Sequence, residues 1–333
     1  MSSDEPPPSA GSPGPPARPG LTTFTIEGRA APGLFVVGWL AVLSGLGLMV
    51  IGILGSSALF FYLLGPTMLT IGLVAASGNQ ALERRARGFA YAGPSPWLVL
   101  GAIIAAVYAV GAAVSLGLNL VVDPGSIPNP VINLVAIAIQ AIVYAGVIRL
   151  AVVGSGGLSW RDMGWRRLDR DQLRHLGFGA ALAIPVIAVT NLVAVVLVNA
   201  LNQLPESPLP PTGTTSGLAI QLIAGAVIAP IAEEMVFRGF ALSAWERTVG
   251  ATGAIVRSSL MFALAHVIEA RGDTFGQVLA LIAIGFLTRV PVALVLGWVF
   301  VRTRSIWAPI GLHMAFNGFL LVLAEYALRN GLG

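Results

Sequence analysis

Six residues in the C-terminal half of the chain are of types that can hydrolyse an amide bond. Glu233 and Glu234 are adjacent carboxylates inside an apolar run, and Arg238 follows Glu234 by four residues. His266 closes the segment Phe262-Ala263-Leu264-Ala265-His266, and His313 precedes Asn317 by four. A charged group at the centre of a lipid bilayer costs about 2.5–3.5 kcal/mol on insertion scales, so such residues are kept for a reason. Glu234 and Arg238 share a helix face and are expected to pair. A carboxylate held beside a cation is a poor base. Glu233 lies about 100° round the helix from that face, where it is free to act as a general base. The same residues would also suit a solvated, inert cluster at a helix end, so the pattern alone leaves both readings open.

Position ties the histidines to the glutamate. The segment Thr248-Val249-Gly250-Ala251-Thr252-Gly253 reads as a turn between antiparallel helices. Glu233 lies 17 residues before Gly250 and His266 lies 16 after it. Equal helical rise on both arms puts the two side chains at one depth. Phe262 is one turn from His266 and is expected to pack beside it. His313 and Asn317 share a face two to three turns into the last helix. The bland alternative for this pair is hydrogen bonding between helices. The third histidine, His175, falls in a charged loop.

The elements that must position these groups are membrane helices. Of the 333 residues, 56% are apolar and 10% charged, against about 25% charged in soluble domains. Apolar runs long enough to span lipid occur at about 34–54, 57–76, 97–121, 131–153, 176–201, 216–242, 252–268, 276–301 and 306–324. The fold class is therefore all-α, a polytopic transmembrane bundle of nine helices, or eight if the run interrupted by Arg257 does not cross. Residues 1–31 are rich in Pro, Ser and Gly and read as a disordered cytoplasmic tail without the apolar segment of a signal peptide. Residues 32–156 form an accessory region of four helices, and 157–325 form the core that holds the six residues.

All 19 basic residues are arginine, and cysteine is absent, which excludes disulfides, thiolate metal sites and cysteine nucleophiles. Arg84, Arg85 and Arg87 follow the second span. Arg161, Arg166, Arg167, Arg170 and Arg174 follow the fourth, Arg247 the sixth, and Arg302 and Arg304 the eighth. Nine spans put all of these on one side, which the positive-inside rule makes cytoplasmic, with the N-terminus inside and the plasma membrane as the site of residence. A formal charge of +4 distributed this way serves topology and does not suit nucleic-acid binding. Arg289, two residues before Pro291, is a cation inside the eighth run. It is expected on a kinked helix, facing the protein interior or water, and either paired internally or bound to a substrate carboxylate.

Glu233-Glu234-xxx-Arg238, Phe262-xxx-His266 and His313-xxx-Asn317 resemble the three motifs of the CAAX-protease and bacteriocin-processing family, also called the Abi family, of intramembrane endopeptidases. The stretches Gly157–Trp165 and Arg302–Ile310 resemble the segments that precede the family's core helices and its third motif. The resemblance covers about 157–320. It implies hydrolysis of a peptide bond in a membrane-associated protein or peptide. By the resemblance, Glu233 activates water with His266 assisting, and His313 and Asn317 stabilise the oxyanion. Arg238 holds Glu234. Two cofactor readings go with the family: zinc held by Glu233, His266 and His313, or a metal-independent glutamate protease. The alternative within the family is a non-catalytic immunity or scaffolding protein, and outside it a small-solute transporter. Membrane lipid and the substrate are the partners implied.

Overall fold

The computed structural model describes residues 24–26, 29–31, 33–205, 207 and 209–332. Most of the expected disordered tail lies outside the described residues. At its end Phe24–Ile26 (β1) and Arg29–Ala31 (β2) pair as an antiparallel hairpin. Thr25, Phe24 and Ile26 are good strand formers, which the Pro-rich composition of the preceding residues masks.

The rest is helical. The helices are α1 (Gly33–Leu54), α2 (Leu59–Ala86), α3 (Pro96–Asn119), α4 (Asn129–Val153) and α5 (Arg170–Leu201). A helical stretch follows over Thr215–Ala265, and then come Phe275–Thr303 and Trp307–Arg329. Eight of these stretches are long and apolar enough to cross a membrane. The 51-residue stretch would run about 75 Å if straight, far beyond the ~30 Å hydrocarbon core. It breaks at Gly250, whose φ of 75° and ψ of 173° are open essentially to glycine alone. The stretch is thus two helices, α6 over 215–249 and α7 over 251–265. With Phe275–Thr303 as α8 and Trp307–Arg329 as α9, the described residues hold nine helices.

Local chemistry sets several of the ends. The Asp169 side chain accepts from the N–H groups of Asp171 and Gln172 and caps α5 six residues before the apolar run begins. Thr214 caps α6 and Thr274 caps α8 in the same way. Helix α2 outlasts its apolar stretch by nearly three turns, because its polar end is used. Gln80 accepts from Ser95 N–H and Arg84 donates to the Gly93 carbonyl, which ties α2 to the start of α3.

The main apolar core joins both halves of the chain. Val99, Ile103 and Ala106 of α3 and Ile148, Ala151 and Val152 of α4 meet Val236, Phe237 and Phe240 of α6, Met261 and Phe262 of α7, and Ile310 of α9. A second cluster packs Val186 and Ile187 of α5 against Leu296 of α8 and Leu312 and Phe316 of α9. The 154–169 connection clamps one end of the bundle. Met163 is fully buried, the Gly164 carbonyl accepts from Ile306 N–H, and the Trp165 ring meets Trp307 edge-on at 5.7 Å. The Trp307 indole donates to the Arg166 carbonyl. Both stretches singled out in the sequence, 157–165 and 302–310, are therefore two sides of one contact.

Candidate active site

Helix α6 is not uniform. Leu222–Ile228 and Met235–Leu242 form wide π-helical turns on either side of the α-helical Ala229–Glu234. Pro230 has no N–H to give the carbonyl four residues back, and its ring crowds that carbonyl, so the turn before it opens. This opening leaves carbonyls on the inner face without helical partners. One of them, on Gly225, accepts from Asn317 Nδ2 of α9 at 2.9 Å.

Glu234 and Arg238 pair as their spacing predicts. Arg238 Nη1 donates to Glu234 Oε1 at 2.9 Å, and both side chains are fully buried. Arg238 Nη2 donates to the Ala293 carbonyl at 3.2 Å, and the guanidinium lies 4.6 Å from the centre of the Phe262 ring. His313 Nδ1 also lies 2.7 Å from Glu234 Oε1. Glu234 Oε1 also accepts from Arg238, so the short contact is an N–H···O bond in which Nδ1 of His313 carries the hydrogen. Sequence alone assigned Glu234 to Arg238 and did not foresee this third partner.

Glu233 faces away from that cluster and towards both imidazoles. Its Oε2 stands 3.5 Å from His266 Nε2 and 3.8 Å from His313 Nε2. The equal-depth reading across Gly250 is therefore met. His266 Nδ1 lies 2.8 Å from the Phe262 carbonyl, which only accepts, so this nitrogen too carries the hydrogen. Phe262 packs against both imidazoles, with ring centres 4.3 Å from His266 and 5.8 Å from His313. Glu233 Oε2 makes no hydrogen bond although that atom is buried, while the Glu233 and His266 side chains as wholes remain 20% and 26% exposed. With a hydrogen on each Nδ1, a carboxylate oxygen and two Nε2 lone pairs, all acceptors, converge where the Glu233 and His266 side chains keep partial exposure.

An acceptor-only centre needs a hydrogen donor between its members, and a water molecule that gives its hydrogens to Glu233 and one Nε2 meets that need. Its remaining lone pair is then free to attack a carbonyl carbon. Glu233, His266 and His313, the set the zinc reading requires, are not grouped so as to hold a metal ion; among the described residues no three His, Cys, Asp or Glu are. No step below passes through a metal.

Two features lay outside the sequence reading. Tyr144 of α4 accepts at its hydroxyl from Gln140 Nε2, 2.8 Å away. The polar pair at i and i+4 within the apolar run 131–153 was its available signal. A cavity of about 520 Å³ adjoins this region, between Ala141 and Ala145 of α4, Ile231, Ala232 and Met235 of α6, and the Trp160 and Trp165 rings. Arg289 is half-buried on α8, as expected for a residue facing the protein interior or water.

Residues 215–319 match the family model described as type II CAAX prenyl endopeptidase Rce1-like. This segment is similar to the Rce1-like domain that the model describes. The resemblance read from the three motifs is borne out there, since the matched residues include Glu233, Glu234, Arg238, His266, His313 and Asn317. The likeness is to a family described as CAAX prenyl endopeptidases. No curated protein and no solved structure matches the chain.

Proposed function

We propose that this protein is an intramembrane endopeptidase in which Glu233, helped by His266, activates water to cleave a peptide bond of a membrane-associated protein or peptide. The observation that carries the reading is the unbonded Glu233 Oε2 facing two Nε2 lone pairs in an otherwise apolar bundle.

Water placed between these acceptors gives a proton to Glu233 as its oxygen bonds to the scissile carbonyl carbon. The carbonyl oxygen becomes an oxyanion. To serve the oxyanion His313 must donate from Nε2, which requires the imidazolium: it takes that proton from solvent before the attack and keeps it throughout, and His266 Nε2 is then the second acceptor for the water. Glu234 behind Nδ1 stabilises that form, as an orienting carboxylate does in a triad. Asn317 spends one N–H on Gly225 and keeps a second to donate. Collapse of the intermediate breaks the C–N bond, and the proton on Glu233 passes to the leaving amine, with His266 beside it as relay. Glu233, His266, His313 and Asn317 are the catalytic groups in this scheme, and Glu234 and Arg238 position them. The family description suggests a prenylated peptide ending in a CAAX sequence as the first probe.

The test is Glu233→Gln in purified, reconstituted protein, with a farnesylated CAAX peptide and with membrane peptides of cells carrying either form. Wild type should generate fragments that the variant does not, with a rate loss of about 10²–10⁴-fold or more for removal of the base. Equal fragment yields from the two proteins would refute the reading.

A further inference from the structure

Glu269 is a further carboxylate close to the centre, three residues after His266, and the scheme above gives it no task. It accepts from the Tyr108 hydroxyl of α3 at 2.5 Å, and both residues are exposed. The depth of this pair follows from a contact at the other end of α3. Trp97, near the start of that helix, meets Trp245 edge-on with ring centres 6.1 Å apart. Trp245 lies five residues before Gly250, and Tyr108 lies eleven after Trp97. Tyr108 therefore stands sixteen residues of helical rise from the Gly250 end, as His266 does, and the turn after His266 comes to it. An acid at membrane depth is costly to keep and marks a working position whose partner is to be named. Here the partner is Tyr108.

The segment that carries His266 has few other ties. Helix α7 ends at Ala265, and the chain then turns, with Val267 N–H donating to the Leu264 carbonyl and Ala270 N–H to that of Val267. These bonds hold the turn only to itself and to α7. Val267 is buried against α8 at Gly285, where a Cβ would fall 2.9 Å from Val267 Cγ1. Among the described residues, the bond from Tyr108 is the one hydrogen bond that ties the 266–274 connection to a helix other than α7 and α8. His266 stands at the start of that connection, so its 3.5 Å approach to Glu233 depends on where the turn is held. A bond to a carboxylate is charge-assisted and gains strength in a medium of low dielectric.

We propose that Tyr108 and Glu269 are positioning residues for His266: the bond from α3 holds the turn after α7 and, through it, the imidazole against Glu233. This rests on the endopeptidase reading above and gives the accessory helices a part in it. Tyr108 lies outside residues 215–319, so the support of the centre extends beyond the segment that matches the family. A displacement of α3 that breaks the bond loosens the centre without touching any catalytic group.

The test uses reconstituted full-length protein with the farnesylated CAAX peptide, together with amide hydrogen exchange, which needs no turnover. Tyr108→Phe and Glu269→Ala should each lower kcat about tenfold with little change in KM or Tm, a size fitting one charge-assisted bond. The double variant should lose no more than either single one, because both remove the same bond. Glu269→Gln keeps an oxygen to accept from Tyr108 and should keep most of kcat. Amides of 266–270 should exchange faster in Tyr108→Phe and Glu269→Ala, and at the wild-type rate in Glu269→Gln. Wild-type kcat or wild-type exchange in Tyr108→Phe overturns the proposal. So do losses that multiply in the double variant, or a raised KM in place of a lowered kcat. Glu269→Gln as impaired as Glu269→Ala also overturns it, since the charge itself would then be what acts. Failure of the endopeptidase reading looks different: fragments persist in Glu233→Gln, while exchange at 266–270 still reports whether the bond holds the turn.

Discussion

The two adjacent glutamates do different work because one is bonded and the other is not. Glu234 is bonded to Arg238 and His313, with all three side chains shut away from solvent. Removing one member leaves an unmatched buried charge. Arg238→Ala should therefore lower stability by about 3–5 kcal/mol, read as thermal unfolding in detergent. Glu234→Gln tests charge more than position. The amide can still fill the site but no longer holds the hydrogen on His313 Nδ1 or supports the imidazolium, so kcat should fall about 10²–10⁴-fold. A Glu234→Gln variant with normal kcat would show that His313 acts without it. Asp162, in the 154–169 connection, has its carboxyl held below the ordinary 3.8 by the Ser159 hydroxyl and N–H, with the Arg247 guanidinium assisting. A lowered carboxyl contributes stability above its ordinary value and loses it as pH falls through the folded value. Wild type should accordingly lose more Tm than Asp162→Asn on acidification from about pH 5 to about pH 3.

At the scale of elements, the α6–α7 hairpin sets the catalytic register. Its level was legible because Gly250 divides the sequence evenly between Glu233 and His266. What the apolar pattern does not encode is the change of hydrogen-bond register around Pro230. The wide turns at 222–228 and 235–242 keep the hydrophobicity of an ordinary span, so the freed Gly225 carbonyl and its bond to Asn317 could not be read. The contact of His313 with Glu234 joins residues far apart in sequence, and local spacing has no signature for it. The ends of α2 and α5 overran their apolar stretches because caps and side-chain ties, not lipid, determine them. Gly250→Ala should cost about 1–3 kcal/mol, since its backbone region is strained for any residue with a Cβ. It should also lower kcat by displacing His266 from Glu233; unchanged Tm and kcat together would mean the turn is not what holds the register. The α5–α9 contact is tighter still. A Cβ at Gly179 would overlap the Ala308 carbonyl, and one at Gly311 the Leu176 carbonyl. Gly179→Ala and Gly311→Ala should both reduce folded yield in the membrane.

At the scale of the whole molecule, the nine helices give the chain an odd number of crossings if α7, short as it is, counts as a full pass. The arginine-rich connections after α2, α4, α6 and α8 then lie on one face of the membrane. Salt bridges gather there: Arg247 with Asp162, and Arg304 with Glu246, tie the clamp and the α8–α9 turn to the end of α6. On the positive-inside rule we propose that this face is the cytoplasmic one. The centre would then be reached between a cytoplasmic clamp and the accessory helices α3 and α4, whose side chains complete its apolar surroundings. The absence of cysteine makes the orientation directly measurable, since any introduced thiol is unique. Leu168 and Val121 are both exposed, on the connections after α4 and after α3. We expect a membrane-impermeant maleimide to label Val121→Cys in intact cells and to reach Leu168→Cys only after the membrane is opened. The reverse pattern would invert the molecule. The arginine-rich clamp would then face outward, and a substrate anchored to the inner leaflet would have to approach the centre from the α3–α4 end.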